Sequence, residues 1–269
     1  VNTVSDTINT SGEHVVHVLA GIERGVTVRE WRNGMLETAD GTRLSPETLF
    51  LANGKHDIRG LARPRPEAGT QSLGIRVRLL AHPALTRLVG GAIELHMFEQ
   101  GYCGVELQEG GRGNLCLAVR KSRLTDYGGD PEALLAAWAA ESPAFGDRLT
   151  FREKGCDAIG AVPYGWIARE TLPGVFRLGD QAAVIPSLSG EGNGIALASG
   201  ILAANGWLAG EPADQFQTRL ARATTRPIGI ASWLWHWGER ADTARLVAAG
   251  VRFAPWLAAR FAEWTRIAH

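Results

Sequence analysis

Residues 13–24 (EHVVHVLAGIER) place Val15, Val16, Leu19 and Ile22 at helical spacing, which predicts a helix capped by Ser11 and ended by Gly25. The eleven residues before it are polar and weakly patterned. The period then shortens to two. Residues 26–31 (VTVREW) alternate, Asn33-Gly34 is a strong hairpin signal, 35–39 return, Asp40-Gly41 turns again, and 42–44 follow. This is a small β-meander. Residues 48–52 (TLFLA) form a continuous apolar run, the pattern of a strand buried on both faces. Alternation resumes at 72–80 (SLGIRVRLL), 92–98 (AIELHMF), 101–107 and 114–119 (NLCLAV), giving at least four strands of an antiparallel sheet with Gly-rich turns. Asp130 and Pro131 open a helix that runs to Ala140, and a further strand is expected near 158–162.

Residues 175–178 are a second short apolar strand, and 195–208 an Ala-rich helix whose small face (Ala196, Ala198, Ser199, Ala203, Ala204) allows close packing on a sheet. From residue 211 the period is helical, in several pieces broken by Pro227, Gly229, Gly238, Gly250 and Pro255. Within it, Trp233 and Trp237 fall on one helix face. Such a stripe is core or lobe-interface packing, or else a greasy substrate channel or a surface touching membrane lipid, so peripheral membrane contact stays open.

A length of 269 residues, 45 % of them hydrophobic, gives room for a substantial core and two lobes. The formal net charge of zero gives no support for nucleic-acid binding. Cys103, Cys116 and Cys156 show neither CxxC spacing nor an even-numbered framework, and they read as buried thiols of a reducing compartment. No apolar run is long enough for a membrane span, and the start lacks a signal-peptide pattern, which makes the cytoplasm the default expectation. His14 and His17 lie three apart, but two histidines at this spacing do not by themselves make a metal site, so none is expected. Alternation puts Glu94 and His96 on one sheet face and Ile93, Leu95 and Met97 on the other. The polar pair reads as solvent-facing or, alternatively, as orienting a ligand, and Tyr102 and Tyr164 carry the same ambiguity.

The most informative stretch is 175–200, VFRLGDQAAVIPSLSGEGNGIALASG. A strand ends at Gly179-Asp180, a loop with Pro186 follows, then Gly190, Gly192 and Gly194 lead into a helix. Free N–H groups and the positive end of the helix dipole face whatever sits there, and glycines let it approach the backbone. Gly-Asp alone is an ordinary turn; the ordered string is more than loop filler. It resembles the C-terminal FAD-binding motif of flavin-dependent oxidoreductases of the aromatic-hydroxylase fold, closest to the branch of geranylgeranyl-reductase-like dehydrogenases and related monooxygenases. The resemblance implies that Asp180, beside Gly179, binds the ribityl chain, and that Pro186 to Gly194, with Asn193, lie against the isoalloxazine. Ala183 stands where many aromatic hydroxylases have His. Residues 52–60 (ANGKHDIRG) resemble the turn that closes the FAD domain, with Gly54 and Arg59 as cofactor contacts and Lys55, His56 and Arg59 suited to an anionic diphosphate.

These likenesses imply an α/β (α+β) chain: an incomplete FAD-binding Rossmann-like lobe with a β-meander, an antiparallel-sheet substrate lobe and C-terminal helices. The expected divisions are 1–66, 67–170, 171–210 and 211–269. They imply FAD as cofactor, NAD(P)H as co-substrate, and a hydrophobic isoprenoid-, polyketide- or phenol-like substrate, with Glu94, His96, Tyr102 and Tyr164 as weak substrate candidates. The family's GxGxxG turn is absent from the sequence, as if the chain began partway through the FAD domain, either as a piece of a longer product or as a shortened relative. A second reading is therefore a cofactor-free relative that binds a hydrophobic ligand or a partner chain through its Trp-rich helices.

Overall fold

The computed structural model describes residues 3–8, 14–19, 24–64, 71–240 and 256–267, together with 243, 250, 253 and 254. The chain divides into two compact units. One comprises 1–47 with 58–62, the other 48–57 with 63–269.

In the first unit, β1 (Thr3–Ile8) pairs antiparallel with β2 (His14–Leu19), Thr3 opposite Leu19. This corrects the helix expected over 13–24, and with it the placing of His14 and His17 on one helix turn. Val15, Val16 and Val18 are β-branched and fit a pleated strand once a partner strand is present. The meander forms as read: β3 (Val28–Arg32), β4 (Met35–Thr38) and β5 (Arg43–Leu44) make a three-stranded antiparallel sheet. Asn33 and Gly34 both take positive φ, 50° and 79°, the requirement of a type I′ hairpin turn. Residues 58–62 join this unit through the Trp31 amide, which donates to the Arg59 carbonyl at 2.8 Å. Gly60 sits so close that a Cβ there would collide with the Trp31 carbonyl oxygen.

The second unit is built on a five-stranded antiparallel sheet, order β11-β7-β10-β9-β8, formed by β7 (Ser72–Leu79), β8 (Glu94–Phe98), β9 (Gly101–Leu107), β10 (Gly113–Arg120) and β11 (Asp157–Val162). One face carries the main core: Ile75, Val77, Val105, Leu115 and Leu117 meet Leu134, Leu135 and Trp138 of α3 (Pro131–Glu141) and Phe145 of α4 (Pro143–Leu149). Asp130 caps α3 as expected, accepting from the Glu132 amide at 2.9 Å. Phe98 stacks on Trp138 with centroids 4.2 Å apart. Two further short helices, α1 (Pro83–Val89) and α2 (Lys121–Asp126), follow β7 and β10 and, like α4, were unforeseen in the sequence.

Beside this sheet, β6 (Leu49–Leu51) pairs parallel with β12 (Val175–Arg177). The run 48–52 is not buried on both faces. Leu51 is buried, but Phe50 is 38 % exposed, stacked on Phe176 at 5.1 Å. On β12 packs α6 (Ala213–Gly238), and against α6 lie α5 (Gly192–Leu208) and α7 (Trp256–Thr265). In α5 the buried stripe is Ile195, Ala198, Ser199, Ala203 and Gly206; Ala196 and Ala204, expected with it, are exposed. A single helix, α6, runs 26 residues through Pro227 and Gly229, where breaks were expected. A mid-helix proline costs about 3 kcal/mol. Burial of Phe216, Leu220, Ile228 and Trp235 along one face offsets this at about 1.5–3 kcal/mol per side chain. Trp235 is the buried tryptophan of this helix, whereas Trp233 and Trp237 pack against each other with tilted rings, centroids 5.2 Å apart, and stay half exposed, so they are not core. Cys103 is buried, but Cys116 is exposed, against expectation. Among the described residues no helix is long and apolar enough to cross a membrane.

Candidate functional site

At the end of β12, Gly179 takes φ +51°. Its amide donates to Ser199 Oγ of α5 at 2.9 Å, and Ser199 Oγ donates in turn to the Ala196 carbonyl at 3.0 Å. A Cβ at Gly179 would lie 3.3 Å from that of Ala196, so a glycine lets strand end and helix start approach closely. Asp180 follows in a tight turn, Gly179–Gln181. Its carboxylate has no hydrogen bond or ion pair among the described residues. Pro186 is buried and leads into the turn Ser187–Ser189; Gly190 then takes φ +71° and α5 begins at Gly192. Cβ atoms built at Gly190 or Gly192 meet nothing within 4 Å, while one at Gly194 would strike the Glu191 carboxylate. Asn193 is exposed. The loop thus presents open backbone on one side and a half-buried carboxylate on the other.

What fixes this loop is a residue that the sequence reading passed over. The Arg63 side chain is only 2 % exposed. Its Nε donates to Asp57 Oδ1 at 2.8 Å, its Nη1 to the Asp180 carbonyl at 3.0 Å, and its Nη2 to the Lys55 carbonyl at 2.7 Å. Gln181, fully buried, donates from Nε2 to the Gly54 carbonyl at 2.8 Å, the His56 carbonyl at 3.1 Å and Asp57 Oδ1 at 3.1 Å. Burial opposes ionisation of Asp57, but hydrogen bonds from Arg63 and Gln181 outweigh it and hold the carboxyl below its ordinary value. The 53–57 turn and the Asp180 turn are therefore one hydrogen-bonded assembly. An arginine between two alanine- and proline-rich steps (ARPRP) carries no local signal of this; its partner Asp180 is 117 residues away.

A second cluster faces the loop. Tyr102 on β9 sits edge-on to Trp235 of α6 at 5.2 Å, and Tyr164 is tilted against the same ring at 5.4 Å. Tyr164 Oη and Ser187 Oγ share a hydrogen bond of 2.7 Å, which ties the aromatic cluster to the Pro186–Gly190 loop. Tyr102 is 4 % exposed, and its hydroxyl lies beside Ser187. Burial, with the neighbouring Tyr164 phenol, pushes the Tyr102 phenol pKa up, so it stays a neutral hydroxyl. Beside this cluster lies a cavity of about 120 Å³ whose lining includes Arg120, Tyr164, Pro186, Ser232, Trp235 and His236.

Of the residues singled out from sequence, Gly54, Gly179, Asp180, Pro186, Gly190, Gly192, Asn193 and Gly194 come together around these two turns, with Tyr164 joined through Ser187. Arg59 is exposed and belongs to the first unit. Glu94 and His96 do share a face, but it is the face of Cys103 and Val105, opposite that of Met97 and Tyr102. There α4 covers them: Arg148 clasps Glu94 through Nε and Nη2 at 2.9 and 2.7 Å, and His96 meets the Phe145 ring edge-on at 5.7 Å. The solvent-facing residues are the apolar ones, Ile93 (73 % exposed) and Leu95 (50 %), the reverse of the expectation from polarity.

No protein-family model and no curated protein matches the chain. Solved structures do. The flavin-dependent brominase Bmp2 superposes with TM-score 0.61 at 14 % identity, over 98 % of this chain and 64 % of its own. HpxO from Klebsiella pneumoniae, solved with FAD and uric acid, gives 0.62 at 16 % identity, over 89 % and 65 %. PqsL from Pseudomonas aeruginosa, a probable FAD-dependent monooxygenase, gives 0.50 at 17 % identity, over 81 % and 64 %. The chain thus spans less than two thirds of the length of these proteins, and over that span it has the fold of FAD-dependent monooxygenases.

Proposed function

We propose that this chain is the flavin- and substrate-facing part of an FAD-dependent oxidoreductase. The observation that carries the reading is Asp180: a half-buried carboxylate without a protein partner among the described residues, on a turn whose backbone is held from both sides by Ser199 and Arg63. A charge kept unpaired on a rigid turn is costly unless a ligand uses it. A polyhydroxylated chain such as ribityl suits it, since an ionised carboxylate accepts hydrogen bonds only. The backbone at Gly190 and Gly192 leaves space for a flat ring to lie close. These residues fit the ribityl and isoalloxazine half of FAD. Lys55 and His56, both exposed on the neighbouring turn, suit an anionic diphosphate.

FAD, when bound, supplies the two-electron redox chemistry, and the protein supplies binding, orientation and electrostatics. Asp180 would hold the cofactor chain, the amides at the start of α5 would stabilise negative charge on a bound ring, and the Tyr102–Tyr164–Trp235 cluster would limit water near the loop. The reductant is a nicotinamide nucleotide, the substrate a hydrophobic ring or isoprenoid, and the branch that of geranylgeranyl-reductase-like and related monooxygenases. The test is absorbance. Protein expressed from its complete reading frame is expected to be yellow, and Asp180→Ala to release flavin. A colourless protein that cannot be reconstituted with FAD would overturn the assignment and favour the cofactor-free reading.

A further inference from the structure

The outer face of α6 serves neither the core nor the candidate flavin site. The helix buries Leu220, Thr224, Ile228, Ala231 and Trp235, which recur at steps of four, four, three and four. The same steps displaced by two residues give Arg222, Arg226, Ile230, Trp233 and Trp237 on the opposite face. Trp233 and Trp237 are half exposed there. The C-terminal residues widen this face. Ile267, just past α7, is buried with Ile228 and Ala231 and so fixes α7 beside α6. Phe261 and Trp264 of α7 then line, with Arg226, Gly229, Ile230 and Trp233, an apolar groove of about 480 Å³. Trp264 and Trp256 of the same helix are exposed as well.

The free charges of this face have one sign. Arg222 and Arg226 on α6, and Arg240 just past its end, are exposed and form no ion pair among the described residues. Beyond residue 220 the two described carboxylates are both taken, Glu239 by Arg120 at 2.7 Å and Glu263 by Arg260 at 3.2 Å. Unpaired cations thus border an exposed aromatic surface, the kind of patch that marks a contact site. A second copy of the chain, meeting it about a two-fold axis, would bring these arginines together with no free carboxylate to receive them. A bilayer with anionic headgroups answers both halves of the pattern. Indole rings settle at the boundary of headgroups and acyl chains, and arginines beside them reach the phosphates. The helix is not apolar enough to cross a membrane, so it would lie along the interface.

We propose that the Trp233–Trp237 face of α6, with the groove it shares with α7, docks on an anionic lipid surface, the tryptophans entering the interface and Arg222, Arg226 and Arg240 meeting lipid phosphates. The inference is independent of the flavin reading. Co-sedimentation with sucrose-loaded phosphatidylcholine vesicles, made with and without phosphatidylglycerol, tests it on protein expressed from its complete reading frame. An arginine at a charged bilayer surface is worth about fivefold in partitioning. Phosphatidylglycerol is therefore expected to tighten binding at least about tenfold, an effect that fades as salt rises. Arg222→Gln combined with Arg226→Gln should remove at least about tenfold of it. Phosphatidylcholine brominated in its acyl chains is expected to quench tryptophan emission. Trp233→Ala combined with Trp237→Ala should weaken binding about tenfold or more and abolish most of that quenching. Arg76→Gln combined with Arg78→Gln removes the same charge from exposed positions of β7 and should leave binding within about twofold. Circular dichroism confirms that each variant is folded. Binding to neither vesicle, equal binding to both, quenching that survives the tryptophan variant, or an equal loss in the β7 variant overturns the proposal. So does a concentration-dependent dimer in sedimentation velocity that the tryptophan variant disperses, which would assign this face to a second copy of the chain.

Discussion

Replacing Arg63 by methionine removes the centre of the site's hydrogen-bonded frame while keeping an unbranched side chain of similar reach. Three bonds are lost, to Asp57, the Lys55 carbonyl and the Asp180 carbonyl. Breaking a buried pair by removing one partner costs about 3–5 kcal/mol. Asp57 is 36 % exposed, so water recovers part of the loss on its side. The two carbonyls are left to smaller penalties of about 1 kcal/mol each. A net loss of about 3 kcal/mol follows. For a domain near 200 residues that corresponds to roughly 6–12 °C in Tm. The assay is urea unfolding of four proteins, the parent, Arg63→Met, Asp57→Asn and the double variant, at pH 7 and at pH 3. A coupling of about 1–2 kcal/mol between the two positions is expected at pH 7. Its sign with pH is fixed by Asp57, whose folded pKa lies below the ordinary 3.8. The stabilisation is fully present above that ordinary value and disappears as pH falls through the lower, folded one, so the coupling shrinks at pH 3 and below. A loss under 1 kcal/mol for Arg63→Met, or additive single variants at pH 7, would refute the idea that Arg63 holds the two turns together.

Ser199→Ala leaves the Gly179 amide unpaired inside the protein and is expected to cost about 1–3 kcal/mol in urea unfolding, with weaker flavin retention because the Asp180 turn loosens. Asp180→Ala should behave in the opposite way, abolishing flavin retention while shifting the urea midpoint little, since the carboxylate has no protein partner to lose. Glu94→Gln separates structure from catalysis. Burial opposes Glu94 ionisation, but hydrogen bonds from Arg148 and His96 prevail and hold its carboxyl below the usual 4.5. The variant should lose about 1–2 kcal/mol at pH 7, a deficit that narrows as pH falls below that value, with flavin retention unchanged.

Local signals carried the sequence reading where they were strong. Asn33-Gly34 demanded a type I′ turn and made one. Alternation in 72–80, 101–107 and 114–119 specified antiparallel strands, because a period of two can bury one face only in a sheet. The order strand, Gly-Asp, Pro, glycines, helix in 175–200 marked the candidate site, since that order places an acid and open backbone around a helix start. Competing periods defeated the reading elsewhere. Val15, Val16 and Leu19 fit a helix as well as a strand, and the pairing of 14–19 with β1 decided between them. Pro227 suggested a break that the buried face of α6 overrode.

The sequence by itself therefore determined the strand–loop–helix of the candidate cofactor site, the antiparallel lobe and the order in which they come, all consequences of spacing within about twenty residues. Tertiary structure alone decided which face of the sheet is covered, and so turned Glu94 and His96 into partners of α4 while leaving Ile93 and Leu95 exposed. It also brought Arg63 to Asp180 and Arg120 to Glu239, over separations of 117 and 119 residues. Charge pairing and cavity shape depend on distances in space, and side chains so far apart in the chain carry no periodic trace of the neighbours they will meet.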